Sequence, residues 1–278
     1  MVTALISAVM LLSMGVQEAK PPQESTEPAQ SPYIERDQRQ FTFFPGGTLQ
    51  ITTGVAGNVK IIGWGRSAVM LQVERIVHNL GPDQAMLLSS QYPVPLHWDQ
   101  TLATLRTSGP PKSAVAMDIN LTIYVPKEKT DIKAQILKGD LALGAINGWI
   151  EANLVEGGIL AKSMSGDFSA TTKHGDISVE MAGPRWRGSE FSAATQNGSV
   201  DLALPADFSA MLNLETRNGK IEVHYPEQKV DGELVPLPVI AKKNAQSLTG
   251  AVGEGGASIK LLTMSGDVKL STISLPAR

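Results

Sequence analysis

From about Phe41 onward, apolar and polar positions alternate along the chain with a period of two. The clearest run is "AVAMDINLTIYVP", where Val115, Met117, Ile119, Leu121, Ile123 and Val125 are interleaved with Ala116, Asp118, Asn120, Thr122 and Tyr124, and Pro126 ends it. A strand sends successive side chains to opposite faces, so this run predicts a half-buried strand. One segment breaks the habit. "PDQAMLLSS" (82–90) carries Pro at a first-turn position and predicts the single short helix.

A longer period lies over the short one. Gly139, Gly148, Gly157, Gly166 and Gly175 are nine residues apart. Two positions after each stands a large apolar residue: Leu141, Ile150, Ile159, Phe168, Ile177. Four positions after stands a second, usually smaller one: Leu143, Ala152, Ala161, Ala170, Val179. The signature returns as "TQNGSVDLAL", "TRNGKIEVHY" and "TMSGDVKLST", and earlier as "GNVKII". Each unit reads as a turn, with Gly where the backbone needs positive φ, followed by a strand with one inward face. Two such units make a coil of about 18 to 23 residues. A single unit cannot bury its apolar face, whereas a stack of them can. The predicted fold is all-β: a parallel β-solenoid, β-helix-like, of roughly 20-residue coils with an N-terminal β cap. Its stacked core takes in Leu141, Ile150, Ile159, Phe168, Ile177, Val200, Ile221 and Val268. A meander of antiparallel hairpins competes, because Asn-Gly is also a strong hairpin signal. The constant nine-residue register favours stacked coils.

Upstream of the pattern the chain changes character twice. Residues 1–15 are apolar and uncharged, with Ser13 and Gly15 at signal-cleavage spacing, though no Lys or Arg precedes the apolar run. Residues 16–38 carry Pro21, Pro22, Pro28 and Pro32 among Gln, Glu and Ser, and read as a disordered tether. The expected organisation is therefore a signal peptide (1–15), a tether (16–38), an N-terminal β cap with the first coil (39–126) and the repeat region (127–278).

Composition narrows the chemistry. The net charge is −3 with no basic block, which argues against nucleic acid as a partner. Cysteine is absent, which removes thiol catalysis, Cys-based zinc sites, disulfides and a lipid anchor on an N-terminal Cys. Beyond residue 15 no window approaches a membrane-spanning run, so no stable span is expected after signal cleavage.

The "GNVKIIGW" opening, the strand ending in "YVP", the serial T-x-[NHS]-G turns and the closing "TMSGDVKLS" resemble a bacterial β-strand-repeat family known under the name "putative adhesin". That family is similar to autotransporter adhesin head regions. The resemblance covers about residues 41–275. It implies an exported β-solenoid, and it supplies no catalytic residues to carry over.

The candidate chemistry is weighed against this background. His174 and Asp176 look at first like catalytic groups, yet His174 fills the slot held elsewhere by Asn197, Asn218 and Ser265, and Asp176 the slot of Asp140, Asp167 and Asp267. They read as turn residues. Asp140 and Asp176 fall on one ladder with Gly158 between them, about 9.6 Å apart at a strand spacing of ~4.8 Å, near the upper end for an inverting glycosidase pair. The calcium-binding nonapeptide pattern is not met, the four His show no metal-ligand spacing, and no cofactor is expected. "GPRWRG" (183–188) interrupts the register. Either it is an inserted loop whose Trp packs back on the stack, the preferred reading, or Arg185, Trp186 and Arg187 form a recognition patch for a sugar ring or an acidic partner. The functional expectation is a non-enzymatic, exported, adhesin-like or scaffolding surface in the periplasm, at the cell surface or outside the cell. Its partner would be an envelope protein or a glycan. The alternatives are a β-helical polysaccharide-active enzyme and an envelope-stress sensor.

Overall fold

A computed structural model describes residues 31–111, 116–230 and 232–273. The expected signal segment, residues 16–30 of the expected tether, and Val115 lie outside the described residues. The first strand is β1 (Tyr33–Thr42); alternating residues then build β2 (Thr48–Ala56), β3 (Val59–Trp64) and β4 (Ala68–Val77), followed by helix α1 (Pro82–Gln91) with Pro at its N-terminus. Next come β5 (Leu96–Trp98), β6 (Leu102–Thr107) and β7 (Met117–Pro126). The nine-residue repeat gives β8 (Asp131–Lys138), β9 (Leu141–Gly144), β10 (Asn147–Glu156), β11 (Ile159–Lys162), β12 (Ser165–His174) and β13 (Ile177–Glu180). It continues through β14 (Glu190–Asn197), β15 (Val200–Leu204), β16 (Ala210–Thr216) and β17 (Ile221–His224). Then follow β18 (Gln228–Val230), β19 (Glu233–Val235), β20 (Val239–Lys242), β21 (Ala245–Val252), β22 (Ser258–Ser265) and β23 (Val268–Thr272).

All but two of these strands form two long sheets, of ten and eleven strands, that share one core, while β18 and β19 pair with each other as a separate antiparallel ribbon. Within the repeat the chain alternates between them: β8, β10, β12 and β14 lie in the eleven-stranded sheet, and β9, β11, β13 and β15 in the ten-stranded one. Neighbours from β8 to β15 pair in parallel, so an antiparallel meander is not what forms. Ile132 stands beside Ile150, and Ile150 beside Phe168, an offset of 18 residues each time. Phe168 then pairs with Phe191, an offset of 23, and their rings stack at 4.4 Å. The nine-residue period in the sequence is thus half a circuit, since consecutive repeat glycines sit at alternate corners.

All eight repeat positions expected inside, from Leu141 to Val268, are buried. Isoleucine, leucine and valine recur here because every inward side chain packs against its counterparts in the rungs on either side as well as across the core. Truncating one such aliphatic costs about 2–5 kcal/mol.

Glycine forms columns at the corners. A Cβ on Gly157 would press into the Gly139 carbonyl, one on Gly175 into that of Gly157, one on Gly198 into that of Gly175, and one on Gly266 into that of Gly198. The chain crosses this corner too close to its neighbours for any side chain. Beside the column, buried threonines satisfy the same carbonyls. The hydroxyls of Thr172, Thr195, Thr263 and Thr216 donate to the carbonyls of Gly157, Gly175, Gly198 and Gly266 at 2.8–2.9 Å. This is the physical content of the T-x-x-G signature: each buried hydroxyl meets a half-buried acceptor of the adjacent rung.

Chain order and spatial order part company at both ends. The rung β2/β3 lies between β6/β7 and β8/β9, and the rung β22/β23 lies between β14/β15 and β16/β17. The first described strand also corrects an expectation. Residues 33–38, expected as the end of a tether, belong to β1, which pairs antiparallel with β4 at the edge of the ten-stranded sheet. Its Glu35 is held by buried Arg75 at 3.3 Å and by the Ser89 hydroxyl of α1.

Candidate functional site

A cavity of about 650 Å³ is an open groove on the outer face of the eleven-stranded sheet. It crosses β2, β8, β10, β12, β14 and β22, which are consecutive in that sheet. Five intervals at the ~4.8 Å strand spacing make it about 24 Å long. Because pairing is in register, outward side chains form rows across the strands. One row runs Thr52, Gln135, Asn153, Thr171, Ala194, Leu262. The row beside it holds Leu137, Val155, Lys173, Gln196 and Met264. The first is mainly amide and hydroxyl, the second largely apolar. Thr171 donates its hydroxyl proton to Asn153 Oδ1 at 2.6 Å, and the Asn153 amide reaches Glu151 at 3.3 Å, which fixes the orientation of that amide. Lys173 is the sole ionisable side chain lining the groove.

The groove was not singled out from the sequence, although a signal for it exists. Once nine residues are understood as half a circuit, Gln135, Asn153 and Thr171, each 18 residues from the next, fall into one outward row.

The "GPRWRG" insertion is a loop that turns Trp186 inward, away from exposed Arg185 and Arg187, which flank it in the alternative reading as a recognition patch. Trp186 is only 6% exposed and stands edge-on to Phe191, with ring centroids 5.1 Å apart. Its indole N–H is buried without a partner. The Gly166 N–H donates to the Arg187 carbonyl at 2.7 Å and the Ser209 N–H to the Pro184 carbonyl at 2.8 Å, so the loop backbone is tied to the stack on both sides of the ring. Arg185 and Arg187 stay exposed, and Arg185 borders an open cleft that also contains Asp207 and Glu254. The indole leaves solvent because stacked Phe168 and Phe191 offer it an apolar edge.

His174 and Asp176 sit at the glycine corner. Asp176 Oδ1 accepts the Ser199 N–H at 2.7 Å, as Asp140 Oδ1 accepts the Gly158 N–H and Asp267 Oδ1 the Lys220 N–H, both at 2.8 Å. Each carboxylate therefore bonds the backbone of the next rung. His174 meets the Asn197 amide at 3.2 Å, its counterpart one rung on. Among the described residues no group of three or more His, Cys, Asp or Glu side chains is placed to hold a metal ion.

Residues 150–271, from β10 to β23, match the family model described as Toastrack DUF4097. This stretch is similar to a toastrack domain. It contains Asn153, Val155, Thr171, Lys173, Gln196 and Met264 of the groove, whereas Thr52, Gln135 and Leu137 precede it. No curated protein matches the sequence. Among solved structures, the chain is similar to a "putative cell adhesion protein" of Clostridium sporogenes, at 9% identity and a TM-score of 0.42, over 86% of this chain and 100% of that one. It is also similar to a "putative lipid binding protein" of Parabacteroides distasonis (11% identity, TM-score 0.33) and a "putative adhesin" of Bacteroides fragilis (13%, 0.30), each over 86% of this chain and 97% of the other. Among the described residues, no helix is long and apolar enough to cross a membrane.

Proposed function

We propose that the protein is an exported, non-enzymatic β-solenoid of 18- to 23-residue coils with an N-terminal β cap, whose flank serves as an adhesin-like or scaffolding surface in the bacterial cell envelope. The observation that carries this reading is the groove itself. Its lining residues stand in rows on in-register strands, and those strands are bonded to one another through backbone, Thr and Asp groups at the corner. Such a surface is preorganised, so a partner binds without the cost of ordering it. Export is supported by the short apolar segment 1–15 with Ser13 and Gly15 at signal-cleavage spacing, and an exported protein would work in the periplasm, at the cell surface or outside the cell. The partner is an envelope protein or a glycan.

Crosslinking in intact cells, followed by fractionation and pull-down, tests compartment and partner together. The expected result is recovery in the envelope or the medium, attached to an envelope component. Recovery from the cytosol with no such component refutes the reading. So does release of reducing ends from a panel of acidic and neutral glycans, which would make the protein an enzyme.

A further inference from the structure

We propose that the groove takes a neutral, unbranched glycan lying along the stack, about one sugar ring per rung. This rests on the reading of the flank as a binding surface and names its ligand.

The shape demands an elongated occupant, since the groove crosses six strands and is open along its length. The spacing suits a pyranose chain, whose ring is about as long as the ~4.8 Å between rungs. Charge excludes the polyanions: a single lysine and no carboxylate line the groove, whereas phosphate or sulfate chains need several cations. A peptide read through its backbone needs an open strand edge. Here every strand under the groove already has a partner on each side. Hydrogen bonds must come from side chains, and the groove supplies Gln135, Asn153, Thr171 and Gln196. Amides and hydroxyls both donate and accept, as sugar hydroxyls do. Leu137 and Val155 in the adjacent row are exposed and give the C–H faces of the rings an apolar wall. An acyl chain would use that wall but leave the amide row unmatched.

The experiment is calorimetric titration of the purified full chain with linear oligomers of glucose, mannose and N-acetylglucosamine of increasing length. In at least one series affinity should climb with length and level off at about five or six residues, the number of ~4.8 Å steps the groove holds. Asn153→Arg places a long cation on the exposed floor and should weaken that binding tenfold or more. Leu160→Arg, on the exposed outer face of the opposite sheet, should leave it unchanged. Val155→Ala, a smaller change, should weaken binding severalfold and guards against misfolding of the arginine variant. Equal losses in Asn153→Arg and Leu160→Arg, or affinity independent of length, overturn the proposal. Binding confined to heparin and abolished by salt overturns it too. If no neutral oligomer binds while cells yield a protein crosslinked to the groove, the glycan is refuted and the envelope-surface reading stands. If cells yield no partner either, both fall.

Discussion

Replacing Gly157 by alanine tests the corner column directly. Gly157 has φ of +137°, a region that L side chains rarely enter. Its Cβ would overlap the carbonyl of Gly139, while Gly175 presses on Gly157 from the other side. Neither neighbour can step aside without lengthening rung bonds, the Gly157 N–H to the His174 carbonyl and the Gly139 N–H to the Glu156 carbonyl, each 2.8 Å. The strained φ costs about 1–3 kcal/mol and the overpacking another ~1–3, so the substitution should destabilise the fold by about 2–6 kcal/mol. That is a large share of the ~5–15 kcal/mol by which folded domains are stable. Gly144 is the control. It lies in β9, and an added Cβ there meets nothing within 4 Å. Gly144→Ala should change stability by less than about 1 kcal/mol and could raise it, because alanine restricts the unfolded chain. Urea unfolding followed by far-UV circular dichroism reads both variants from their midpoints. Equal costs for the two, or a cost below about 1 kcal/mol for Gly157→Ala, would refute the close-approach argument.

Three further changes probe other parts of the structure. Thr172→Val keeps the side-chain shape and deletes the hydroxyl donated to the Gly157 carbonyl, so the same urea assay should show a loss of about 0.5–1.5 kcal/mol; no loss would mean that the threonine column contributes nothing. Trp186→Ala should lower stability by about 3–5 kcal/mol, because the ring is buried against Phe191; a fully stable variant that loses partner binding would return the residue to the surface. Burial holds the Tyr225 phenol above its usual pKa, and its hydroxyl donates to the Pro205 carbonyl at 2.7 Å. The unfolded chain therefore ionises first, and this contribution to stability is present below the ordinary tyrosine pKa of about 10 and fades as pH rises through the folded value. Melting temperatures across alkaline pH should fall less steeply for Tyr225→Phe than for the parent; identical slopes would exclude Tyr225 as a source.

The repeat was legible because it is written in residues with few substitutes. Glycine marks each corner, and the inward pair two and four positions later is apolar in nearly every unit, so Leu141, Ile150 and Phe168 could be placed inside from spacing alone. The order of the rungs was not legible. "TMSGDVKLS" carries the same signature as its sister units, and a signature says that a segment forms a rung without saying which neighbours it joins. β1 was missed for a different reason. "YIERDQRQ" shows no apolar alternation, since its Glu35 is matched by a buried arginine rather than by an aliphatic residue. Trp186 was ambiguous because the ring that receives it, Phe191, lies beyond the end of the loop, and Phe168, on which that ring stacks, belongs to the preceding rung.

The displaced rungs at the two ends constrain how such a chain can change length in evolution. Between Asp131 and Leu204 the order along the chain is the order in space, so duplicating one 18-residue circuit there lengthens the molecule and leaves every other junction intact. The same duplication at either end would land beside a rung that the chain has already bypassed, and would have to open it. Trimming is equally asymmetric. Ending the chain before Ser258 does not shorten the stack by its last layer; it removes the next-to-last and strands β16 and β17 across a gap. Relatives of different size should therefore differ by whole circuits in the interior and keep their two ends in common.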